Sequence, residues 1–217
     1  MILCDIGNTT FHFKNGKKMY RVFVDGKKDD FPKFKKTVYY ISVNDKATNK
    51  LKDVYKNCID ISKIYKFKTK YKGLGIDRQV VCSSVQNGII IDAGSAVTVD
   101  IIKNGIHKGG FILPGLNALK VIYPKISKKL LFEFKNEVNL DKIPLKTNDA
   151  INYAILSAIV DPIVKVYEKF NLPLYFTGGD GKILYKSIEN IPKIYEKDLI
   201  FKSMKKIIKN NKKGNRC

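Results

Sequence analysis

Four short stretches concentrate the residue types that do chemistry. Two of them share one plan: an apolar strand, an acid, any residue, a glycine, then a small polar residue. The first is Asp5-Ile6-Gly7-Asn8-Thr9 after Ile2–Cys4, and the second is Asp92-Ala93-Gly94-Ser95 after Ile89–Ile91. A glycine lets backbone N–H groups approach a phosphate closely, because no Cβ stands in the way. Asn, Thr and Ser add hydrogen-bonding groups beside it. A carboxylate repels phosphate, but it can hold a cation or the cation's waters between the two. Asp5 with Gly7, Asn8 and Thr9 is therefore expected to hold the metal and outer phosphates of a nucleotide. Asp92, Gly94 and Ser95 are expected to face them from a second half. Either turn alone is an ordinary strand ending, but the repeat argues for a duplicated device. No GxxxxGK[ST] run occurs, so this is not a Walker P-loop.

The third stretch is FTGGDG, Phe176–Gly181. A Gly178-Gly179 pair after a buried strand can let a flat ring approach the backbone, and it equally suits a plain strand-to-helix turn. The fourth is GLGIDRQ, Gly73–Gln79, where Asp77 precedes Arg78, one of only three arginines (Arg21, Arg78, Arg216) in a lysine-dominated chain. An acid in a first helical turn is favourable on electrostatic grounds alone. That explains Asp77 but not Arg78, whose fixed guanidinium fork suits an anion at this position.

The elements that must carry these residues follow from periodicity. MILCDI reads as a strand, and FHFKNGKKMYRVFVDGKK as two strands joined at Asn15-Gly16. TVYYISV (37–43) is a strand. DKATNKLKDVYKNC is a helix with Asp45 as its N-cap, ISKIYKF another strand, and IDRQVVCSSVQ (76–86) a helix. The pattern then restarts. Residues 88–116 supply up to three strands with a turn at Asn104-Gly105, and helices run through NALKVIYPKISKKLLF and TNDAINYAILSAIVDPIVKVYEKF. PLYFTGG is a strand and DLIFKSMKKIIKNN an amphipathic helix. The expected organisation is α/β, in two similar halves, 1–87 and 88–217, facing each other across a cleft with sites at strand ends.

Composition narrows the partners. The chain has 217 residues and a net charge of +21, but its lysines are spread along the whole length, and readers of nucleic acid favour Arg. Only the tail KKIIKNNKKGNRC is a basic run, as expected of a solvated terminus. Nucleic acid is therefore not the expected partner, although the field would aid capture of anionic ligands. No apolar run approaches the ~20 residues of a membrane span, and MILCDIGNTT lacks the features of a signal peptide, so a cytoplasmic protein is expected. Cys4, Cys58, Cys82 and Cys217 form no CxxC pair, and His12 and His107 lie far apart, so four reduced thiols and no zinc site are expected.

Taken in order, these residues resemble the type III pantothenate kinases, members of the acetate/sugar kinase–Hsc70–actin superfamily. The resemblance rests on D-[IV]-G-N-T at Asp5–Thr9, G-x-D-R at Gly75–Arg78, D-x-G-[TS]-A-x-T-x-D at Asp92–Asp100 and G-G-x-x-x-P-G at Gly109–Gly115. It continues with T-x-x-A-I at Thr147–Ile151 and T-G-G-D at Thr177–Asp180. It implies two ribonuclease H-like halves and ATP-dependent phosphorylation of pantothenate at its primary hydroxyl, the first step of coenzyme A synthesis. By the same resemblance Asp77 is the general base and Arg78 neutralises anionic charge. Tyr71, Gly73, Gly75 and Thr147 join them at the substrate, Thr147 being lent by the second subunit of a homodimer. Asp5 organises Mg²⁺, Asn8 and Thr9 touch phosphate, and Asp92 holds a monovalent cation, potassium or ammonium. Gly94, Ser95 and Thr98 line the nucleotide side, Gly109, Gly110 and Gly115 the pocket backbone, and Gly178 and Gly179 the adenosine region. Ser95 replaces the commoner Thr and keeps its hydroxyl. A stripe of Ala150, Ile151, Ala154, Ile155 and Ala158 suits either a two-fold interface or the core.

Two other readings remain at this point. One is a non-catalytic accessory regulator or nucleic-acid binder of the same fold, which would not need the acids Asp5, Asp77 and Asp92. The other is a superfamily kinase acting on a sugar or acetate, against which the G-x-D-R segment argues.

Overall fold

A computed structural model describes residues 1–214, the side chains of 212–214 excepted. Arg216, Cys217 and the end of the basic run therefore lie outside the described residues. The chain runs β1 (Ile2–Ile6), β2 (Thr10–Asn15), β3 (Lys18–Phe23), β4 (Val38–Ser42), α1 (Asp45–Val54), β5 (Cys58–Asp60) and α2 (Ile76–Cys82). It continues with β6 (Gly88–Ala93), β7 (Ala96–Lys103), β8 (Ile106–Pro114), α3 (Leu116–Lys120), α4 (Tyr123–Ile126) and α5 (Thr147–Phe170). The last elements are β9 (Leu174–Thr177), α6 (Gly181–Lys186), β10 (Lys193–Tyr195) and α7 (Leu199–Gly214).

The strands form two five-stranded mixed sheets with one topology used twice. The first has the order β3-β2-β1-β4-β5 and the second β10-β9-β6-β7-β8. In each, three strands form an antiparallel meander and two more add in parallel to the first strand of that meander. These are the two ribonuclease H-like α/β halves expected. The compact units are residues 1–84 with 199–214, and residues 85–198, so α7 belongs with the first sheet although it follows the second in sequence.

In the first unit, alternation along β1 sends Ile2, Cys4 and Ile6 into a core with Phe11, Phe13, Phe31, Tyr40 and Leu51. Aromatic rings dominate this core, with Phe13 and Phe31 6.1 Å apart in an edge-to-face pair. Cys4, Cys58 and Cys82 are in no disulfide, and burial pushes the Cys4 thiol well up, which leaves it inert. In the second unit Ile89, Ile91 and Ala93 pack on Ile151, Ile155, Ile159 and Ile163 of α5. Contrary to the expectation that no apolar run nears the length of a membrane span, α5 is, among the described residues, the one helix long and apolar enough, by length and composition, to cross a bilayer. Its buried side is the core of this unit. The alanine stripe divides accordingly: Ile151 and Ile155 are core, while Ala150, Ala154 and Ala158 are exposed.

Several local expectations are corrected. Asn44, not Asp45, caps α1, its side chain accepting from the Ala47 amide at 3.0 Å. ISKIYKF is not a strand. The strand lies just before it, and the Asp60 side chain takes the Ser62 amide at 2.9 Å, turning the chain into a 3₁₀ segment at Ile61–Lys63. Helix α2 stops at Cys82 because the Ser83 and Ser84 hydroxyls bond back to the Val80 and Val81 carbonyls. The helix expected over 117–132 breaks into α3, α4 and a 3₁₀ turn, with Pro124 in the first turn of α4 and Ser127 extended. Both hairpins form, and Asn104 and Gly105 have the paired positive φ angles of a tight type I′ turn.

Candidate active site

Asp5 is the penultimate residue of β1, half-buried, on the face opposite Cys4 and Ile6. Its register neighbours are His12 on β2 and Ile41 on β4. The turn that follows is tied by the Gly7 amide donating to the Thr10 carbonyl at 3.0 Å and the Val24 amide donating to that of Thr9 at 2.9 Å. Asn8 and Thr9 remain exposed. The Asn44 side chain that caps α1 also reaches the Asn8 carbonyl at 3.5 Å. A Cβ built on Gly7 would meet only the Thr10 carbonyl, at an ordinary 3.6 Å. Nothing in the fold itself therefore demands glycine there.

The Gly73–Asp77 loop arrives at the same strand edge. Gly73 has φ +75°, which favours glycine. A Cβ on Gly75 would lie 2.5 Å from Asp77 Oδ1 and 3.9 Å from Val43, the residue after β4, whose amide donates to the Ile6 carbonyl at 3.1 Å. Asp77 thus folds back over Gly75 in the first turn of α2, where its Oδ1 accepts from the Arg78 amide at 2.8 Å. Arg78 is only 7% exposed, with its guanidinium 5.0 Å from the centre of the Tyr71 ring. Gln79 Nε2 donates to the Leu74 carbonyl at 2.7 Å and holds the loop's shape. The first unit thus brings Asp5, Gly7, Asn8, Gly75 and Asp77 to the carboxyl ends of its parallel strands.

The second unit repeats the plan in register. Asp92 is the penultimate residue of β6, half-buried, opposite Thr98 on β7 and Thr177 on β9. The turn is tied by the Gly94 amide donating to the Ala96 carbonyl at 2.9 Å. Two further loops close on it. The Gly115 amide donates to the Ser95 carbonyl at 3.2 Å and the Asp180 amide to that of Ala93 at 3.0 Å. A Cβ on Gly115 would stand 2.4 Å from the Gly94 carbonyl oxygen. One on Gly178, with φ +86°, would stand 2.4 Å from that of Ala93 and 2.5 Å from Asp92 Oδ1. A Cβ on Gly94 would meet only the Ala96 carbonyl, at an ordinary 3.9 Å, and one on Gly179 would have open space. Gly109, φ +123°, and Gly110 lie at the β-bulge of β8.

Thr147 is the exposed first residue of α5, and the hydrogen bonds of that turn are made by its neighbours. Asn148 Oδ1 accepts from the Glu133 amide at 2.8 Å, and the fully buried Asn152 spans the Glu133 carbonyl and the Lys135 amide. The sequence reading gave no role to three residues beside these turns. His12 stands in register with Asp5, and burial, with the Arg21 charge, lowers its pKa. Lys120 and Asp180 lie beside the second turn and act on one another electrostatically. Alternation along β2 was enough to find His12; nothing in local sequence pointed to Lys120. A buried Asp100–His107 pair, 2.8 Å apart, links β7 to β8 across the bulge.

The family model and the curated relatives agree on one family. A family model described as type III pantothenate kinase matches residues 1–169. A Campylobacter jejuni type III pantothenate kinase is 44% identical over 213 residues, covering 97% of this chain and 98% of that protein. A crystal structure of a Campylobacter jejuni protein, described as a conserved Baf family transcriptional activator, superimposes with TM-score 0.83 at 41% identity, covering 98% of this chain and all of that one. A 2-dehydro-3-deoxygalactonokinase from Sinorhizobium meliloti shares the fold alone, with TM-score 0.56 at 6% identity over 96% of each chain.

Proposed function

The chain belongs to the type III pantothenate kinase family, and we propose that it transfers the γ-phosphoryl group of ATP to the primary hydroxyl of pantothenate, the first step of coenzyme A synthesis. Beyond family membership, the observation that carries this reading is the repeated turn: both sheets end their central strand on a half-buried acid followed by glycine, at the same register.

Phosphoryl transfer asks mainly for positioning and charge stabilisation. In this reading Asp77 orients the substrate hydroxyl and takes its proton as the hydroxyl oxygen bonds to the γ-phosphorus and ADP leaves. Arg78, held against Tyr71, neutralises the substrate carboxylate or the transferring group. Tyr71, Gly73 and Gly75 shape the pantothenate pocket, and Thr147 completes it from a second copy of the chain in a homodimer. Asn8 and Thr9 hold the outer phosphates with the Gly7 backbone. Gly94, Ser95 and Thr98 bind the nucleotide from the second turn, and Gly178 and Gly179 pass along the adenosine.

The oxygen donors present suit hard cations. Asp5 would hold Mg²⁺ through water, and Asp92, whose Oδ1 crowds the glycine position at 178, would hold potassium or ammonium. When bound, these ions supply neutralisation of phosphate charge. A cytoplasmic setting, without membrane or nucleic-acid partner, belongs to the same reading.

The test is an ADP-release assay with ATP, Mg²⁺ and pantothenate, with and without potassium. Pantothenate-dependent ADP formation, faster with potassium, is expected. No turnover under any of these conditions overturns the reading.

A further inference from the structure

The loop that closes β9 carries a carboxylate that the repeated turn does not use. Asp180 occupies the N-cap of α6, where Asp ordinarily accepts a helix amide, yet its side chain makes no capping bond. Its own amide is fixed on the Ala93 carbonyl at 3.0 Å. Among the described residues the half-buried carboxylate has no hydrogen-bond donor. Burial raises its pKa, and the Lys120 charge counters that.

Lys120 ends α3, the helix that starts from Gly115 against the Gly94–Ser95 backbone. Its ammonium sits 3.5 Å over the centre of the Phe134 ring. That ring is firmly placed. The Glu133 amide donates to Asn148 Oδ1, the Glu133 carbonyl accepts from Asn152 Nδ2, and the Lys135 amide donates to Asn152 Oδ1, at 2.7 to 2.8 Å, on both sides of Phe134. Lys120 is half-buried and its pKa is lowered by burial, with Asp180 opposing. The two charges feel each other without closing into an ion pair.

An acceptor and a cation, both partly dehydrated, thus stand unjoined beside two glycine-constrained turns. Dehydrated polar groups are costly until a partner arrives. The ligand that matches both carries hydroxyl donors next to an anion, which is the order of groups in a ribose phosphate. We propose that Asp180 and Lys120 are a ribose–phosphate recognition pair: Asp180 accepts hydrogen bonds from the ribose hydroxyls, and Lys120 donates to the phosphate nearest the sugar. This rests on the reading of the Gly94 and Gly178 turns as a nucleotide site.

Calorimetric binding of ATP, 2′-deoxyATP, 3′-deoxyATP, ADP and adenosine to the whole protein tests it. The intact protein is expected to bind ATP about tenfold more tightly than at least one deoxy analogue, the scale of one hydrogen bond to a charged group. Asp180→Ala, with Asp180→Asn as the shape-preserving second variant, narrows that gap to about twofold or less. Lys120→Met weakens ADP and ATP about tenfold and spares adenosine, and Lys120→Arg restores phosphate affinity. An unchanged ATP-to-deoxyATP ratio in both Asp180 variants overturns the ribose assignment. Equal loss for ADP and adenosine in Lys120→Met overturns the phosphate assignment. If the intact protein binds no nucleotide at all, the site reading itself falls. Binding with ratios that no variant moves sinks only the pair.

Discussion

The two units build the same turn on the same sheet and then treat it differently. At Asp5 the turn is left open. Gly7 has room for a side chain, Asn8 and Thr9 are exposed, and the residues that come to the strand edge, Asp77 with Arg78 behind it, carry charge. At Asp92 the turn is walled by backbone, with Gly115 and Gly178 pressed so tightly against the Ala93, Gly94 and Ser95 carbonyls that a methyl group would overlap them. The contrast separates two reasons for a glycine. Gly115 and Gly178 answer to their own protein. Gly7, Gly94 and Gly179 have space that nothing in the described chain fills, and in the proposed function that space belongs to the ligand. The open turn then presents reactive groups, and the walled turn supplies a rigid seat.

This contrast can be attacked at several strengths. The largest effect is expected from Asp77→Asn, which should lower kcat by at least about a hundredfold, the lower end for loss of a general base. Nucleotide affinity should stay within about twofold in calorimetry, because in the proposed function Asp77 meets the pantothenate hydroxyl and not the nucleotide. A parallel loss of nucleotide binding would erase the proposed division of labour. Next come Gly7→Ala and Gly94→Ala. Each should leave the melting temperature almost unchanged, since the new methyl meets nothing closer than 3.6 Å and 3.9 Å respectively. Each should also weaken ATP about tenfold or more by blocking the approach of phosphate to backbone, at about 1.4 kcal/mol per tenfold. Full ATP affinity in both would return these glycines to ordinary turns.

Gly178→Ala should do the reverse and destabilise by more than about 2 kcal/mol, from a left-handed backbone combined with overlap against fixed carbonyls. Chemical denaturation measures it, and a change below about half that would show the wall to be soft.

The smallest effect concerns His12 beside Asp5. Burial, then the Arg21 charge, holds its pKa below 6.5 in the folded protein. The unfolded chain therefore binds the proton first as pH falls. The stability contributed is complete above about pH 6.5 and is lost as pH falls through the depressed folded value. His12→Gln should flatten the melting-temperature profile between pH 7.5 and 5. A slope as steep as that of the unaltered protein would assign the pH dependence elsewhere.

Much of the architecture was legible because it is written in short-range patterns. Alternation along Ile2–Ile6 and Gly88–Ala93 turns each acid away from its core, and Asn104-Gly105 marks a hairpin wherever it stands. The long helix announced itself through the stripe that includes Ala150, Ile151, Ala154 and Ile155. Short elements did not. β10 has three residues and exists because Lys193–Tyr195 pairs with β9, and α6 is a single six-residue stretch after the glycine pair. ISKIYKF looks strand-like by composition, but one Asp60 side chain bonding two residues ahead diverts it. Local hydrogen bonds of that kind are worth about 1 kcal/mol, comparable to the whole range of strand propensities, so propensity alone does not decide such cases.

By itself the sequence determined the repeated acid–glycine plan, the apolar faces on either side of it, and the candidate residues Asp5, Asp77, Arg78 and Asp92. All of these follow from spacing within a few residues, where backbone geometry is nearly fixed. Only the tertiary structure decided which glycines are sterically required, that α7 returns to the first sheet, and that Asn44 touches Asn8. The same is true of Lys120 coming under the influence of Asp180, 60 residues further along the chain. Contacts of that range depend on how whole elements pack, and no periodicity within one segment encodes the partner it will meet.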